Sequence, residues 1–376
     1  MRVLFSGGAS GGHVNPALAI ADILKSHYPD CEIAFVGTPD GIENRLVPQA
    51  GYDLYKIKIE GINGKSGVKK LVAYAHAFTS QFAAKKIVKR FAPDIVIGTG
   101  GYACWPALEA AVGMGIPTVL HESNSVPGLA VRKLQDKVDV ILTNFESTKE
   151  KLNASAHVIN VGNPVRRACS TLTRKEAREA LGIGEDKFVV LSFGGSLGAE
   201  CLNDVALEYM QNFSAKHDNV VSYHVGGKNY YEDAKEKLEG KGLLADGKNV
   251  LISFTSDLPV YMAAADVVIC RAGAMTITEL AIMGKAAIII PSVNVTDGHQ
   301  LSNAKALSSV GAAVLVEESQ IENGNAVSEE LEKLYSNPAL LKNMCEKVKD
   351  FAIDDVDDEI FEVIESLLKS YKKIVK

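Results

Sequence analysis

The residues best placed to do chemistry stand in two glycine-rich strings. Gly7-Gly8-Ala9-Ser10-Gly11-Gly12-His13 and Gly194-Gly195-Ser196-Leu197-Gly198 each follow a short β-branched run and lead into a helical pattern. Glycine lets backbone amides close on an anion, and a helix N-terminus adds partial positive charge, so each string suits a diphosphate; a plain tight turn is the rival reading. Neither string is Gly-x-Gly-x-x-Gly, and Gly-x-x-x-x-Gly-Lys-Ser/Thr is absent, which disfavours dinucleotide and P-loop sites and favours a nucleotide sugar. His13 opens a helix directly after its loop, where an imidazole of ordinary pKa near ~6.5 suits removal of a proton from a substrate hydroxyl.

Other candidates carry open alternatives. His121-Glu122-Ser123-Asn124 follows the apolar Thr118-Val119-Leu120 and so emerges at a strand end, although His121 alone reads equally as a hydrogen-bonded core residue. Arg271-Ala272-Gly273-Ala274-Met275-Thr276-Ile277-Thr278-Glu279 ends a strand and opens a helix, placing Glu279 where a carboxylate accepts both hydroxyls of a ribose. Thr276-x-x-Glu279 is equally a capping box. The stretch Asp297-Gly298-His299-Gln300-Leu301-Ser302-Asn303 offers amides for sugar hydroxyls, or an Asp-capped helix start. Asp355-Val356-Asp357 has a metal-holding spacing, but with no strand ahead of it the acidic run reads as helix-dipole chemistry, and no metal site is predicted.

The elements that must hold these groups alternate. Val3–Phe5, Ile33–Val36, Asp94–Ile97, Thr118–Leu120, Val189–Ser192, Val267–Cys270 and Ala287–Ile290 are short apolar runs separated by helix-like stretches, the signature of βαβ units around parallel sheets. The pattern repeats. Val3-Leu4-Phe5-Ser6-Gly7-Gly8 is echoed 187 positions on by Val190-Leu191-Ser192-Phe193-Gly194-Gly195, and Pro93–Gly101 more loosely by Ala265–Gly273. The fold class expected is therefore α/β, with two similar doubly wound Rossmann-like domains and a cleft between them.

The 376 residues exceed what one core supports, in line with two domains. The boundaries fall near Gly162-Asn163-Pro164 and Asp354, giving 1–163 plus a C-terminal helix 354–376 as one domain and 164–353 as the other; a new helix is expected over Arg166–Arg178. Six cysteines without a Cys-x-x-Cys pair, a net charge of −6 and no long apolar window point to a reduced, cytosolic protein that is neither exported, membrane-spanning nor bound to nucleic acid. One local patch is basic: between Gly61 and Pro93 there is no acidic residue, and Lys65, Lys69, Lys70, Lys85, Lys86, Lys89 and Arg90 alternate with Leu71, Tyr74, Phe78 and Phe82. Such a helix suits an anionic membrane surface, or a core with a solvated basic face.

Taken in order, Gly7-Gly8-x-x-Gly11-Gly12-His13-Val14-x-Pro16-Ala17, Gly98-x-Gly100-Gly101-Tyr102-x-x-x-Pro106, His121-Glu122-x-Asn124, Gly162-Asn163-Pro164-Val165-Arg166, Gly194-Gly195-Ser196-x-Gly198-Ala199 and Arg271-x-Gly273-Ala274-x-Thr276-x-x-Glu279 resemble the MurG-type N-acetylglucosaminyltransferases of bacterial peptidoglycan synthesis. The resemblance implies a GT-B fold and an inverting transfer of N-acetylglucosamine from UDP-GlcNAc to the 4-hydroxyl of the muramoyl sugar of lipid I, an undecaprenyl-diphosphate-linked muramoyl-pentapeptide, forming lipid II. It implies no cofactor beyond the UDP-GlcNAc donor. It places the protein in the cytoplasm, peripheral on the inner face of the membrane, with other cell-wall enzymes as possible partners.

By the same resemblance, the second domain holds the donor: Glu279 the ribose; Gly195, Ser196 and Arg166 the diphosphate; Ala274, Met275 and Thr276 the adjoining phosphate and sugar; Phe254 and Thr255 the uracil; Gln300 the transferred sugar. The first holds the acceptor through Gly8, Gly11, Gly12, Gly100, Gly101 and Tyr102, with His13, His121 and Asn124 beside the muramoyl sugar and His13 as base. Lys69, Lys70, Leu71, Phe78 and Phe82 form the membrane patch. Another UDP-sugar GT-B enzyme, lipid-directed or a UDP-GlcNAc 2-epimerase, is the alternative, and a nicotinamide-dependent oxidoreductase a remoter one.

Overall fold

The computed structural model describes residues 1–8, 10–61, 66–165, 167–195, 198–255, 257–293, 298–321 and 324–374. The chain divides into two compact units, Met1–Val165 with Ile353–Lys376, and Arg166–Ala352.

The first unit is built on a parallel sheet of seven described strands: β1 Arg2–Gly7, β2 Glu32–Gly37, β3 Asp53–Lys56, β4 Ile95–Gly100, β5 Thr118–Glu122, β6 Val140–Thr143 and β7 Val158–Asn160. Their order is β3-β2-β1-β4-β5-β6-β7. Strand order reverses between β1 and β4, and ligands of open α/β sheets settle outside the strand ends at such a reversal. Both faces of the sheet are covered, so Val3, Phe5, Ile95 and Ile97 lie wholly inside. The helix Val356–Ile374 lays Ile360, Ile364 and Leu368, at successive i+4 positions, into this same core. It is further pinned by Phe361 stacked on His27, with ring centroids 3.7 Å apart, and by the Tyr28 hydroxyl donating to Glu365 at 3.2 Å.

The second unit repeats the plan with six described strands: β8 Phe188–Phe193, β9 Val220–Val225, β10 Asn249–Ile252, β11 Val267–Cys270, β12 Ala286–Ile289 and β13 Val314–Leu315. The order is β10-β9-β8-β11-β12-β13, all parallel, so the reversal lies between β8 and β11. The two sequence echoes are thus the central strand pairs, β1 with β8 and β4 with β11. Val190, Val267, Ile269, Leu202, Tyr209 and Phe213 fill one face of this core.

The helix expected over Arg166–Arg178 is instead two, Arg167–Thr171 and Arg174–Leu181. The break has a local cause. The Thr173 side chain accepts from the Glu176 amide while the Glu176 carboxylate accepts from the Thr173 amide, a full capping box that starts a new helix there.

Candidate functional site

At the first reversal the residues meet as follows. β1 delivers Gly7 and Gly8, and the helix Gly11–His27 begins with Gly11, Gly12 and His13. His13 Nδ1 lies 3.0 Å from the Gly8 carbonyl and 3.3 Å from the Ser10 hydroxyl; the carbonyl can only accept, so Nδ1 carries a proton. Thr99 ties the helix start to β4 by donating its hydroxyl to the His13 carbonyl at 2.6 Å. The imidazole lies against Gly100, where a Cβ would fall 2.5 Å from the His13 Cδ2 and 2.9 Å from Nε2. Gly101, with φ +84°, has no room for a Cβ because the Gly8 carbonyl occupies that space. The two glycine loops are therefore packed backbone to backbone, and Tyr102 stands beside them, 48% exposed.

Beyond β5 the geometry is different. His121 is fully buried, its Nε2 donates to the Gly162 carbonyl at 3.1 Å, and burial pushes its pKa down to about 4. It fastens β5 to the segment that leaves the first unit, where Gly162, at φ +88°, leaves its missing Cβ's space to Val356 and Ile353. Asn124 is held by Glu122, whose Oε1 accepts from the Asn124 amide at 2.9 Å and its side-chain nitrogen at 3.1 Å. The other Glu122 oxygen takes the Gly128 amide at 2.7 Å and so closes the loop carrying Asn124.

At the second reversal β8 delivers Gly194 and Gly195. Gly195 is exposed at φ +92° with nothing near its Cβ position, and its carbonyl accepts from the Gly198 amide at 3.0 Å to close the loop. Gly198 approaches the Gly226 carbonyl too closely to carry a Cβ. Ser196 and Arg166 lie outside the described residues. Across the reversal, the helix Ala274–Met283 is capped by Gly273 with no side-chain cap bond. Thr276 and Glu279 consequently sit inside the helix, and the capping-box reading of Thr276-x-x-Glu279 is overturned because the helix starts three residues too early for it. Glu279 is 8% exposed, with the Cys169 thiol donating to its Oε1 at 3.8 Å. Its charge and, above all, burial raise the neighbouring Cys270 thiol to about 12.

Ala274 is buried and Met275 and Thr276 half-buried on the first turn of that helix. The helix His299–Ser308 is capped by Gly298 at φ +61°, and Asp297 lies outside the described residues. Gln300 Oε1 accepts from the Ser292 amide at 2.8 Å, and the buried Asn303 donates to the Ala272 carbonyl at 3.2 Å, so this helix is stitched to the strand ends on both sides. Phe254 is 41% exposed with the Lys228 ammonium 4.8 Å from its ring centroid, and the Thr255 hydroxyl oxygen accepts from the Asp257 amide at 2.9 Å. No group of metal-ligating side chains occurs among the described residues.

Profiles of the glycosyltransferase family 28 N-terminal and C-terminal domains match residues 3–143 and 189–360. The chain belongs to glycosyltransferase family 28. One relative, the UDP-N-acetylglucosamine–N-acetylmuramyl-(pentapeptide) pyrophosphoryl-undecaprenol N-acetylglucosamine transferase of Caldanaerobacter subterraneus subsp. tengcongensis, is 36% identical over 98% of this chain and 100% of its own. The crystal structure of Acinetobacter baumannii MurG superposes with a TM-score of 0.74 at 30% identity, covering 97% of this chain and 99% of that one. The UDP-GlcNAc 2-epimerase of Neisseria meningitidis, bound to UDP-GlcNAc, shares the fold alone, with a TM-score of 0.64 at 16% identity over 97% of this chain and 100% of that one.

This family 28 chain carries two features that the sequence did not separate. The helix Gly67–Phe91 buries a narrow face of Ala73, Ala77, Ala84 and Val88 and turns Leu71, Tyr74, Phe78 and Phe82 outward, at 71%, 53%, 68% and 64% exposure. A helix packed into the core by its large apolar residues would do the opposite. The side chains of Lys69 and Lys70 and all of Lys65 lie outside the described residues. No described helix is long and apolar enough to cross a membrane. The second feature is Glu43, a wholly buried carboxylate under Gly8 that no motif announced.

Proposed function

We propose that this glycosyltransferase moves N-acetylglucosamine from UDP-GlcNAc to the 4-hydroxyl of the muramoyl sugar of an undecaprenyl-diphosphate-linked muramoyl-pentapeptide, with inversion at the anomeric carbon. The activity for which the relative from Caldanaerobacter subterraneus is named supports both substrates. One observation carries the donor side: Glu279 lies inside the helix rather than at its cap, as a nearly buried carboxylate beside the second reversal. There it would accept both ribose hydroxyls, a pairing that a charged acceptor makes about twice as strong as a neutral one. The Gly195 amide, the N-terminus at Ala274 to Thr276, Ser196 and Arg166 would stabilise the diphosphate as negative charge develops on departing UDP. Phe254 and Thr255 would bound the uracil and Gln300 the sugar.

On the acceptor side, the loops bearing Gly8, Gly11, Gly12, Gly100, Gly101 and Tyr102 would cradle the lipid diphosphate, with Asn124 at the sugar. His13 would take the proton of the 4-hydroxyl on Nε2, since Nδ1 is committed to the Gly8 carbonyl. His121 serves this side from inside the core, by holding the strand end in place. The outward stripe of Leu71, Phe78 and Phe82, with Lys69 and Lys70, would dock on an anionic membrane surface on the cytoplasmic face and bring the first unit's glycine loops to their lipid substrate. Titrating UDP into Glu279→Ala tests the donor assignment: binding should weaken about a hundredfold while the melting temperature barely moves. Intact UDP binding in that variant would overturn it.

A further inference from the structure

Glu43 is the first residue of the short helix Glu43–Gln49, and its side chain is entirely enclosed. Burial of a carboxylate is costly, so what surrounds it is informative. The Thr38 amide and hydroxyl both donate to Oε1 at 2.7 Å. Three glycines from three segments give up their Cβ space to this one side chain. A Cβ on Gly8 would lie 2.6 Å from Oε1, one on Gly37 2.5 Å from Cγ, and one on Gly41 would collide with Oε2. The carboxylate shares the closing of its own turn with Asn44 Nδ2, which donates to the Thr38 and Gly41 carbonyls at 2.8 and 2.9 Å. Glu43 also reaches the end of another strand, where it fills the space beside Gly8. Gly8 in turn presents the carbonyl that fixes the His13 ring and its tautomer.

We infer that Glu43 is a positioning residue for the proton acceptor: its buried carboxylate seats Gly8, and Gly8 orients His13. This rests on the reading of His13 as the base. The chemistry resembles a carboxylate that orients a catalytic imidazole, with a peptide group interposed between them. Glu43 touches no substrate in this scheme. Its removal therefore leaves donor binding alone and acts on turnover through the imidazole.

The test is steady-state turnover of the full chain with UDP-GlcNAc and a soluble lipid I analogue, for Glu43→Ala, Glu43→Asp, Glu43→Gln, His13→Ala and the double variant Glu43→Ala with His13→Ala. Glu43→Ala should lower kcat about tenfold or more with the KM for UDP-GlcNAc within about twofold of the parent. Glu43→Asp, which keeps the charge but withdraws it by one methylene, should show the same loss and serves if the alanine variant does not fold. Glu43→Gln, which keeps length and an oxygen for Thr38, should recover most of the rate. On the His13→Ala background, Glu43→Ala should cost nothing further, because the residue it acts through is gone. Additive losses, a donor KM that rises in step with the fall in kcat, or a lowered melting temperature at unchanged kcat would each overturn the inference. Full turnover by His13→Ala would overturn the base assignment and this inference together, whereas a large His13→Ala loss beside a parental kcat in Glu43→Asp would overturn this inference alone.

Discussion

At the scale of single residues, what decides a role is the backbone atom each side chain answers to. Thr276-x-x-Glu279 has identical spacing in a capping box and in a helix interior, and only the start of the helix at Ala274 separates them. Glu279→Ala is accordingly expected to raise the KM for UDP-GlcNAc far more than it lowers thermal stability; an earlier melt with an unchanged KM would restore the capping role. His13 was legible because it follows a glycine loop, but its tautomer depends on the Gly8 carbonyl, which no pattern of residue types reveals. His13→Ala should cut kcat about a hundredfold or more at nearly constant donor affinity, and rates across a pH series would check it. Glu43 was illegible because a lone glutamate after a polar turn looks solvated, and its burial depends on Gly8, 35 positions away in the chain, as well as on the nearby Gly37 and Gly41. His121 and His224 are both wholly buried with pKa values pushed down to about 4. Below the ordinary value near 6.5 the unfolded chain takes up protons that the folded one refuses, so stability falls as pH drops and levels off only near 4. Each should cost roughly 2 kcal/mol between pH 7 and 5, and His121→Gln should flatten part of that slope in urea midpoints measured across the range.

At the scale of elements, the central strands were readable and the flanking ones less so. β1, β4, β8 and β11 are buried on both faces and spell mostly apolar runs, whereas at the sheet edges all four residues of β3 and three of the four in β10 are at least partly exposed, with Asp53, Tyr55, Lys56 and Asn249 mixed into the strands. The capping box at Thr173 is spelled in the sequence as Thr-x-x-Glu, but it sits inside a continuous polar, helix-favouring stretch that reads equally well as one longer helix. The helix Gly67–Phe91 shows the opposite limit: its composition permitted either a membrane-surface helix or a core helix with a solvated basic face, and it did not show that alanines lie inward and Leu71, Tyr74, Phe78 and Phe82 outward. Replacing Phe78 and Phe82 by Ser should weaken cosedimentation with vesicles of anionic lipid about tenfold and leave turnover of a soluble acceptor analogue unchanged. Equal partitioning of both proteins would argue against docking through this face.

At the scale of the whole molecule, the internal echo found in the sequence is a duplication of plan: two sheets of the same strand order, each with a glycine loop at its own reversal. Strand order itself was not readable, because apolar runs announce strands without saying which neighbours they pair with. The proposed division of labour between the units, uridine-linked sugar in the second and lipid diphosphate in the first, rests on what surrounds each loop: Glu279 on the helix beside the one and His13 against the other. The most direct measurement of that division is turnover of UDP-GlcNAc with a lipid I analogue, with the linkage of the product determined and Glu279→Ala and His13→Ala run alongside. A β-linked disaccharide formed together with UDP, dependent on the acceptor and slowed in both variants, is the predicted result. An α-linked product, or consumption of UDP-GlcNAc at the same rate without acceptor, would contradict it.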